Sequence, residues 1–196
     1  MLIGLYGKAR SGKDTVATYL GRTRGFQTRA FADPMYDMLA AGMGIHMTSR
    51  KTGLLRTEQI NELPYCIYVN DHDKDSVVNP FGVSVRRLMQ TLGTEWGRNV
   101  VGEDVWVTLA DAWYQQHRQG HVVFTDVRFP NEADFILSNG GQVVEVYRPQ
   151  EDFAAFRQHD SENQLMHSYV GHTLNNAGSL DDLFTMVDHL LHVIDV

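Results

Sequence analysis

The sequence predicts an α/β protein with three layers, in which helices cover both faces of a mostly parallel sheet. Short apolar runs alternate along the chain with segments of helical periodicity. The first apolar run also leads directly through a glycine-rich turn into the first helical segment. The chain has 196 residues, of which 43% are hydrophobic and 21% charged, so we expect a single domain over residues 1–196 with a full core.

The first quarter of the chain shows this alternation. The apolar run Leu2–Tyr6 predicts a buried strand, and Lys13–Thr23 predicts a helix because its apolar residues fall on or near one face. Phe26–Phe31 predicts a second strand. Pro34–Gly42 predicts a second helix, with Asp33 as its N-cap and Pro34 at the first helical position.

Residues 45–82 give a weaker pattern, which we interpret as an insert within the domain. Thr57–Leu63 is compatible with a helix. Asn70–Pro80 is rich in Asp, Asn and Lys, which predicts an exposed loop.

Regular alternation returns after the insert. Ser84–Trp96 predicts a helix, because its apolar residues repeat at i, i+3, i+4 and i+7. That stripe consists of Val85, Leu88, Met89 and Leu92. Asp104–Gln116 predicts another helix, and His121–Thr125 a buried strand. Asn131–Asn139 predicts a helix that ends at two glycines, and Gln142–Tyr147 a further strand.

The last fifty residues contain a polar segment and a closing helix. Phe153–Val170 is polar and rich in His, which predicts a mobile flap over about residues 151–170. Thr173-Leu174 is compatible with a last short strand. Leu180–Ile194 predicts an amphipathic helix. Its apolar face consists of Leu183, Val187, Leu190, Leu191 and Ile194.

Composition excludes some classes of protein. The formal net charge of −7 argues against a protein that wraps nucleic acid, although it leaves room for a small phosphate ligand. Cys66 is the single cysteine, so no intramolecular disulfide is possible. No His lies at ligand spacing with Cys or carboxylate support, so we expect no structural zinc. We also expect no signal peptide and no membrane span, and therefore a cytoplasmic location, in the host cell if a virus encodes the chain.

A phosphate-binding loop is the strongest local signal. Gly7-Lys8-Ala9-Arg10-Ser11-Gly12-Lys13 has the pattern G-x-x-x-x-G-K, directly after a predicted strand and at the start of a predicted helix. In such a P-loop, backbone N–H groups and the positive end of the helix hold anionic oxygens, and Lys13 supplies a mobile positive charge. We expect Gly7, Arg10, Ser11, Gly12 and Lys13 to surround phosphate.

The residue after the loop lysine departs from the usual pattern. Asp14 stands where Ser or Thr normally provides a hydroxyl to magnesium, and Thr15 follows it. Two arrangements remain open. Either Asp14 meets the metal through water, or Thr15 supplies a hydroxyl to a phosphate.

Charged residues follow a second apolar strand. Asp126 comes directly after Val122–Thr125, and Arg128 lies two residues further on. An acid at this place could hold a magnesium-bound water or accept a hydrogen bond from a ligand, and an arginine near the phosphates could stabilise charge. Alternatively, Asp126 caps the next helix and Arg128 pairs with Glu132 on the surface.

Other arginines are candidate ligand groups. Arg86 and Arg87 are neighbours on a predicted helix and diverge by about 100°, so at most one of them can face a ligand. Arg148 ends the last long strand, where its guanidinium could stack on a base or bind a phosphate. A solvated surface arginine is the alternative in each case.

Seven segments, in order along nearly the whole chain, resemble the phage-type deoxynucleoside monophosphate kinases of the P-loop nucleotide-kinase group. The most specific is the stretch R-x-L-M-Q-x-L-G-T at residues 86–94, which is not general P-loop material. The other segments are residues 10–15, Phe31-Ala32-Asp33-Pro34, Asp126-Val127-Arg128 through Glu132, Tyr147-Arg148-Pro149, Ser161-Glu162 and Asn176-Ala177-Gly178-Ser179-Leu180.

The resemblance implies roles for these residues. The loop and Gly12, Lys13, Asp14 and Thr15 would bind ATP with magnesium, and Arg148 would lie near the adenine. The deoxynucleoside monophosphate would be bound by Asp33, Arg86, Gly93, Thr94, Trp106, Asp126, Arg128 and Glu132. Lys13, Arg128 and Asp126 would be catalytic, and residues 151–170 would form a lid. Residues 45–80 carry no resemblance to the family, and we expect the insert at residues 45–82 to lie on the substrate side.

The family implies transfer of the ATP γ-phosphoryl group to the substrate phosphate. Two alternatives remain at this stage: a small-molecule kinase similar to dephospho-coenzyme A kinase, and a nucleotide-binding module without catalysis, which Asp14 keeps open. Small nucleotides are the expected partners, with neither nucleic acid nor membrane, and a homodimer is compatible with the sequence. Pro34-Met35-Tyr36-Asp37 lacks the lysine that often follows this turn in relatives.

Overall fold

The computed structural model describes residues 1–47, 67–69, 74–75, 82–149 and 167–194. The predicted helix Thr57–Leu63, most of the predicted loop Asn70–Pro80 and most of the predicted flap lie outside these residues. The chain divides into two compact units. Unit 1 comprises residues 1–31 and 107–196, and unit 2 comprises residues 32–106.

The described residues contain seven strands, six α helices, one π helix and the 3₁₀ helix His167–Tyr169. Their bounds are β1 Leu2–Tyr6, α1 Lys13–Arg24, β2 Gln27–Arg29, α2 Asp33–Met43, β3 Ile45–Met47, β4 Ile67–Val69, α3 Val85–Gln90, a π helix Thr91–Val101, α4 Val105–His117, β5 Val122–Phe124, α5 Pro130–Ser138, β6 Gln142–Tyr147, β7 His172–Asn175 and α6 Leu180–Ile194.

Unit 1 contains a parallel sheet. In the described residues it has five strands in the order β2-β5-β1-β6-β7. β1 lies at the centre and pairs in parallel with β5 on one side and β6 on the other, so Ile3 faces Val123 and Gln142. The chain therefore places strands on both sides of β1, and its carboxyl end is a topological switch point, where open α/β sheets bind ligands.

Side chains of the sheet alternate between two apolar layers. On one face, Ile3 and Leu5 pack with α1 and α6 in a core that also contains Val144 and Val146. On the other face, Leu2 and Phe124 pack with α4 and α5. The structure confirms the predicted three-layer α/β fold with helices on both faces of a parallel sheet.

Unit 2 has its own apolar core. β3 and β4 pair in parallel, and α2, α3 and the π helix pack with them. The predicted stripe of Ser84–Trp96 is confirmed, since Val85 is fully buried and Leu88, Met89 and Leu92 pack against the core. The two-stranded sheet β3-β4 was not predicted from the sequence.

The predicted helix Ser84–Trp96 has a different form in the structure. Ser84 Oγ accepts a hydrogen bond from Arg87 N at 3.2 Å and caps a short α helix, which continues as a π helix to Val101. Gly97 lies against the ring of Trp106, where an added Cβ would overlap that ring. The wider helix and its glycines thus allow close packing that a 3.6-residue periodicity does not reveal.

The prediction that Asp33 caps the second helix was wrong. Asp33 is the first helical residue of α2, and the N-cap is Ala32 in a right-handed helical conformation. Pro34 therefore stands one position later than predicted. The remaining strands and helices agree with the prediction to within three residues at each end, and Leu2–Tyr6, Gln142–Tyr147 and Leu180–Ile194 agree at both ends. Among the described helices, none has both the length and the apolar character that a membrane span requires.

Candidate active site

The loop between β1 and α1 has the backbone geometry of a phosphate cradle. Gly7 and Gly12 have φ angles of 144° and 108°, which side chains rarely allow. An added Cβ on Gly7 would overlap the carbonyl of Val146, and one on Gly12 would lie 2.5 Å from Nδ2 of Asn176. Arg10 is the one non-glycine residue in the described part of the chain with positive φ, at 63°. The loop therefore requires both glycines where the sequence has them.

Lys13 lies over this loop. Its Nζ donates hydrogen bonds to the carbonyls of Gly7 at 2.7 Å and Lys8 at 2.8 Å. Lys13 is also the first residue of α1, whose N-cap Gly12 provides no side-chain cap. A helix N-terminus of this kind is positive and presents N–H groups to an anion.

Ser11 is the most enclosed residue of the loop. It is 2% exposed, and its Oγ has no hydrogen-bond partner among the described residues. A buried hydroxyl without a partner is unusual in a folded protein, because desolvation is then not compensated. The loop thus has polar groups that fit an oxyanion ligand.

A cleft of about 300 Å³ opens beside the loop. Positive charge is concentrated there, because Lys13, Arg10 and Arg148 all line it. The full lining consists of Arg10, Gly12, Lys13, Asp14, Thr15, Arg148, Asn176, Gly178 and Leu180. The structure therefore brings Arg148, predicted near the adenine, into one cleft with the phosphate loop.

The same cleft has donors that suit magnesium. Asp14 offers a carboxylate and Thr15 a hydroxyl, and hard oxygen ligands are those that Mg²⁺ prefers. Within the described residues, no three His, Cys, Asp or Glu side chains form a metal cluster. Magnesium commonly uses one or two carboxylates together with substrate phosphates, so the residues fit a metal that arrives with a nucleotide.

The segment after β5 lies at the carboxyl end of β1, since Val127 N donates to the Leu5 carbonyl at 3.1 Å. Asp126 Oδ1 accepts a hydrogen bond from Phe31 N at 2.7 Å. Asp126 therefore holds the chain that follows β2, and the N-cap of α5 is Phe129. The side chain of Arg128 is exposed at the surface of unit 1.

Glu132 lies in the first turn of α5 and is 3% exposed. Its Oε2 accepts hydrogen bonds from the backbone N–H groups of Arg128 at 2.8 Å and Phe129 at 3.2 Å. The sequence analysis offered a surface ion pair between Arg128 and Glu132 as an alternative. Glu132 is buried instead, and its carboxylate binds backbone N–H groups. Glu132 instead holds the backbone on which Arg128 stands.

The remaining predicted acceptor residues lie in unit 2. Arg86 and Arg87 diverge as expected: Arg86 pairs with Asp75, with 3.2 Å between Nη2 and Oδ2, and Arg87 Nη2 lies 3.1 Å from Glu95 Oε1. Trp106 is 2% exposed, and its Nε1 donates to the Gly93 carbonyl at 2.8 Å. Asp33 and Thr94 are both half-buried in this unit.

Asn176 is a residue of the site to which the sequence analysis gave no role. Its Nδ2 donates to the Ser11 carbonyl at 2.8 Å, although the two residues are 165 positions apart. Asn176 was quoted only as part of a resembling segment. No local pattern in one sequence signals so distant a contact.

The fold and the loop together define the class of protein. A glycine-rich loop that joins the central strand of a parallel three-layer sheet to a helix defines a P-loop nucleotide-binding protein. The sequence model of the deoxynucleotide monophosphate kinase family matches residues 67–187. The chain belongs to this family and is a phosphotransferase. The match begins after the phosphate loop Gly7–Lys13. The loop is therefore evidence for a nucleotide-binding protein that does not depend on the family match.

Named relatives extend the similarity over nearly the whole chain. A protein of Acanthamoeba polyphaga mimivirus, provisionally named a deoxynucleotide monophosphate kinase, is 29% identical and covers 95% of this chain and 94% of its own. The deoxynucleoside-5'-monophosphate kinase of Escherichia phage T5 is 27% identical over 90% of this chain and 89% of its own. The deoxynucleotide monophosphate kinase of Enterobacteria phage T4 is 27% identical over 98% and 99%.

Solved structures give a more distant match. The dephospho-CoA kinase of Campylobacter jejuni has a TM-score of 0.47 and 12% identity, over 98% of this chain and 96% of its own. A sugar kinase of a Janibacter species also has a TM-score of 0.47, with 13% identity over 100% and 94%.

Proposed function

We propose that this protein transfers the γ-phosphoryl group of ATP to the phosphate of a deoxynucleoside monophosphate, giving a deoxynucleoside diphosphate and ADP. Membership of the deoxynucleotide monophosphate kinase family supports the acceptor. The observation that carries the donor side is the loop Gly7–Lys13, whose geometry, lysine and helix terminus suit a chain of phosphates.

The donor is proposed to occupy the cleft beside the loop. Gly7, Ser11 and Gly12 surround its phosphates with backbone groups, and Lys13 exchanges the carbonyls of Gly7 and Lys8 for phosphate oxygens. Arg10 adds charge at the same cleft. Arg148 stands at the end of β6, where its planar guanidinium can stack on the adenine.

Magnesium is proposed to arrive with the nucleotide. Asp14 would hold it through a water, or Thr15 would support a phosphate oxygen while Asp14 remains near the metal. When bound, the metal supplies positive charge that neutralises the phosphate oxygens.

The acceptor residues are proposed for each unit by itself, as the family resemblance implies them. On unit 1, Arg128 contacts the phosphate, and Asp126 and Glu132, which hold the backbone around it, contact the sugar or base. On unit 2, the proposed acceptor residues are Asp33, Arg86, Gly93, Thr94 and Trp106; Arg86 pairs with Asp75, and Trp106 donates to the Gly93 carbonyl.

The chemical step needs little acid–base help. An oxygen of the acceptor phosphate attacks the γ-phosphorus, a new P–O bond forms, and the bond from the γ-phosphorus to the β,γ-bridging oxygen breaks, so that ADP leaves with its electron pair. Because the attacking oxygen is already anionic, no strong general base is required. Lys13 and Arg128 then act by position and charge, which is the dominant form of catalysis in phosphoryl transfer.

Three further features belong to the proposal. Residues 45–82 serve the substrate side, residues 151–170 act as a lid that excludes water, and the whole chain works as one kinase domain. The enzyme acts in the cytoplasm on free nucleotides, and a homodimer is compatible with this role.

A panel of acceptors tests the proposal. Purified protein is incubated with ATP and Mg²⁺ and one acceptor at a time: the four common deoxynucleoside monophosphates, their ribonucleotides, or dephospho-coenzyme A. Chromatography resolves the products. We expect a diphosphate from at least one deoxynucleotide. Phosphorylation of dephospho-coenzyme A alone, or no product from any acceptor, would contradict the proposal.

A further inference from the structure

Asn176 links the last strand of the sheet to the phosphate loop. It directly follows β7, is 8% exposed, and donates from Nδ2 to the Ser11 carbonyl at 2.8 Å. Its own backbone N–H donates to the Tyr147 carbonyl at 2.7 Å. The backbone of Asn176 is thus hydrogen-bonded to the end of β6, while its side chain contacts the loop.

This contact fixes one peptide unit of the loop. A peptide bond is planar and trans, so the Ser11 carbonyl and the Gly12 N–H point in opposite directions. A carbonyl held toward Asn176 therefore turns the Gly12 N–H away from Asn176. Gly12 lines the cleft and caps α1, so the direction of its N–H is a property of the proposed phosphate site.

Gly12 and Asn176 also fit each other sterically. The φ angle of Gly12 is 108°, and the Asn176 amide fills the space that a side chain on Gly12 would need. The amide thus supplies a hydrogen bond to one side of this peptide and occupies the volume beside it. A smaller side chain at position 176 would remove both constraints.

The turn that carries Asn176 is itself held in place. Ser179 Oγ and N donate to Asp182 Oδ2 at 2.7 and 2.9 Å, and Asp182 N donates back to Ser179 Oγ at 3.2 Å. This reciprocal arrangement caps α6, and Ser179 directly follows the cleft residue Gly178. A fixed turn gives Asn176 a fixed position relative to the loop.

We propose that Asn176 is a positioning residue that holds the Ser11–Gly12 peptide in the orientation that binds nucleotide phosphates. This inference rests on the proposed function in so far as the loop is the phosphate site. If Asn176 has this role, a substitution of Asn176 weakens the binding of the nucleotide phosphates. The base and the acceptor are bound as before.

Two variants and a control test this role. Asn176→Ala removes the amide, and Asn176→Asp keeps its size and its preference for turns but replaces the donor with an acceptor. Asn175→Ala is the control, since Asn175 is an exposed neighbour on β7. The affinities for ATP and for inorganic tripolyphosphate are measured by calorimetry, with KM values for ATP and acceptor. Melting temperatures show that each variant is folded.

We expect both variants to reduce the affinities for tripolyphosphate and for ATP by a similar factor of about three to ten, which is the effect of one hydrogen bond. Asn176→Asp should bind both ligands at least as weakly as Asn176→Ala does, because its carboxylate repels the Ser11 carbonyl. Acceptor KM and the control should change less than about twofold. If Asn176→Ala does not fold, Asn176→Asp decides alone.

Unchanged tripolyphosphate affinity would overturn the inference. If the affinity for ATP fell and the affinity for tripolyphosphate did not, Asn176 would act on the base and not on the phosphates. Wild-type protein without measurable tripolyphosphate binding would also overturn it. Failure of the proposed function is a separate result: wild-type protein would bind tripolyphosphate and phosphorylate no deoxynucleotide, and the comparison of variants would still measure the role of Asn176.

Discussion

Glu132 holds the backbone of Arg128: its buried Oε2 accepts the Arg128 N–H at 2.8 Å, while the Arg128 side chain remains exposed. The same oxygen accepts the N–H of Phe129, which is the N-cap of α5. A single carboxylate thus starts a helix and sets the residue that we propose to contact the acceptor phosphate. The stability of unit 1 and the proposed catalytic role of Arg128 therefore depend on the same carboxylate.

Replacement of Glu132 should therefore reduce stability. Glu132→Ala leaves two backbone N–H groups without their acceptor, at an expected cost of about 1–3 kcal/mol in the free energy of unfolding. Urea unfolding measures this cost. Asp134→Ala on the same helix is the control, because Asp134 is exposed, and it should change stability by less than about 0.5 kcal/mol. Equal stability of Glu132→Ala and the control would contradict the proposed backbone role.

Removal of the Arg128 side chain should reduce turnover more than ATP affinity. We expect Arg128→Ala to lower kcat by about 100-fold, because a charge near the transferring group stabilises the transition state. Steady-state kinetics with both substrates separate kcat from KM. Arg118→Ala removes an equal charge from another exposed position of unit 1. If both variants turned over at the wild-type rate, Arg128 would be a surface residue without a role in the reaction.

Lys13→Ala should abolish most activity without unfolding the protein. The variant loses the charge at the phosphate loop, and we expect kcat to fall by about 100- to 1000-fold. Circular dichroism checks the fold. Arg22→Ala is the matched control, since it removes an exposed cation from the far end of the same helix. Wild-type turnover of Lys13→Ala would refute the assignment of this residue.

Trp106→Phe should weaken the acceptor side selectively. Phe retains the aromatic bulk but not the N–H that Nε1 donates to the Gly93 carbonyl, and Gly93 is a proposed acceptor residue. We expect an increase in acceptor KM and a loss of about 1–3 kcal/mol of stability, with ATP KM unchanged. The exposed Trp96 provides the control variant Trp96→Phe. A Trp106→Phe effect on ATP KM alone would contradict this arrangement.

The cap of α6 predicts a dependence of stability on pH. Hydrogen bonds from the Ser179 hydroxyl and N–H lower the pKa of Asp182 below its ordinary value. A lowered folded-state pKa stabilises the protein above the unfolded pKa, and this contribution is lost as the pH falls through the folded value. The stability difference between wild type and Asp182→Ala should be present at pH 7 and shrink below about pH 4.

Urea unfolding from pH 7 to pH 3 measures that difference. Asp181→Ala is the control, because Asp181 precedes Asp182 in the same helical turn. A difference for Asp182→Ala that stayed constant over this range would show that the capping carboxylate does not carry the effect.

Features that depend on neighbouring residues could be predicted from the sequence. The loop Gly7–Lys13 follows a local pattern, and the closing helix Leu180–Ile194 has a regular apolar face, so both were identified correctly. The family was recognised from short segments, of which residues 86–94 are the most specific, and the match to residues 67–187 confirms it.

Features that depend on distant residues could not be predicted. The contact between Asn176 and Ser11 joins opposite ends of the chain. The partner of Asp126 is a backbone N–H of Phe31, which no charge pattern indicates. The π helix Thr91–Val101 is not indicated by a 3.6-residue apolar periodicity, and within it Gly97 lies directly against the ring of Trp106. Tertiary packing determines each of these.

The measurement that tests the central claim most directly follows the γ-phosphoryl group itself. Wild-type protein and Lys13→Ala are incubated with ATP labelled in the γ-phosphate, Mg²⁺ and a deoxynucleoside monophosphate, and the products are separated. We predict that label appears as the β-phosphate of the deoxynucleoside diphosphate, with one ADP formed for each labelled product, and that Lys13→Ala loses nearly all of it. Label released only as inorganic phosphate, or no transfer with any deoxynucleotide, would contradict the account.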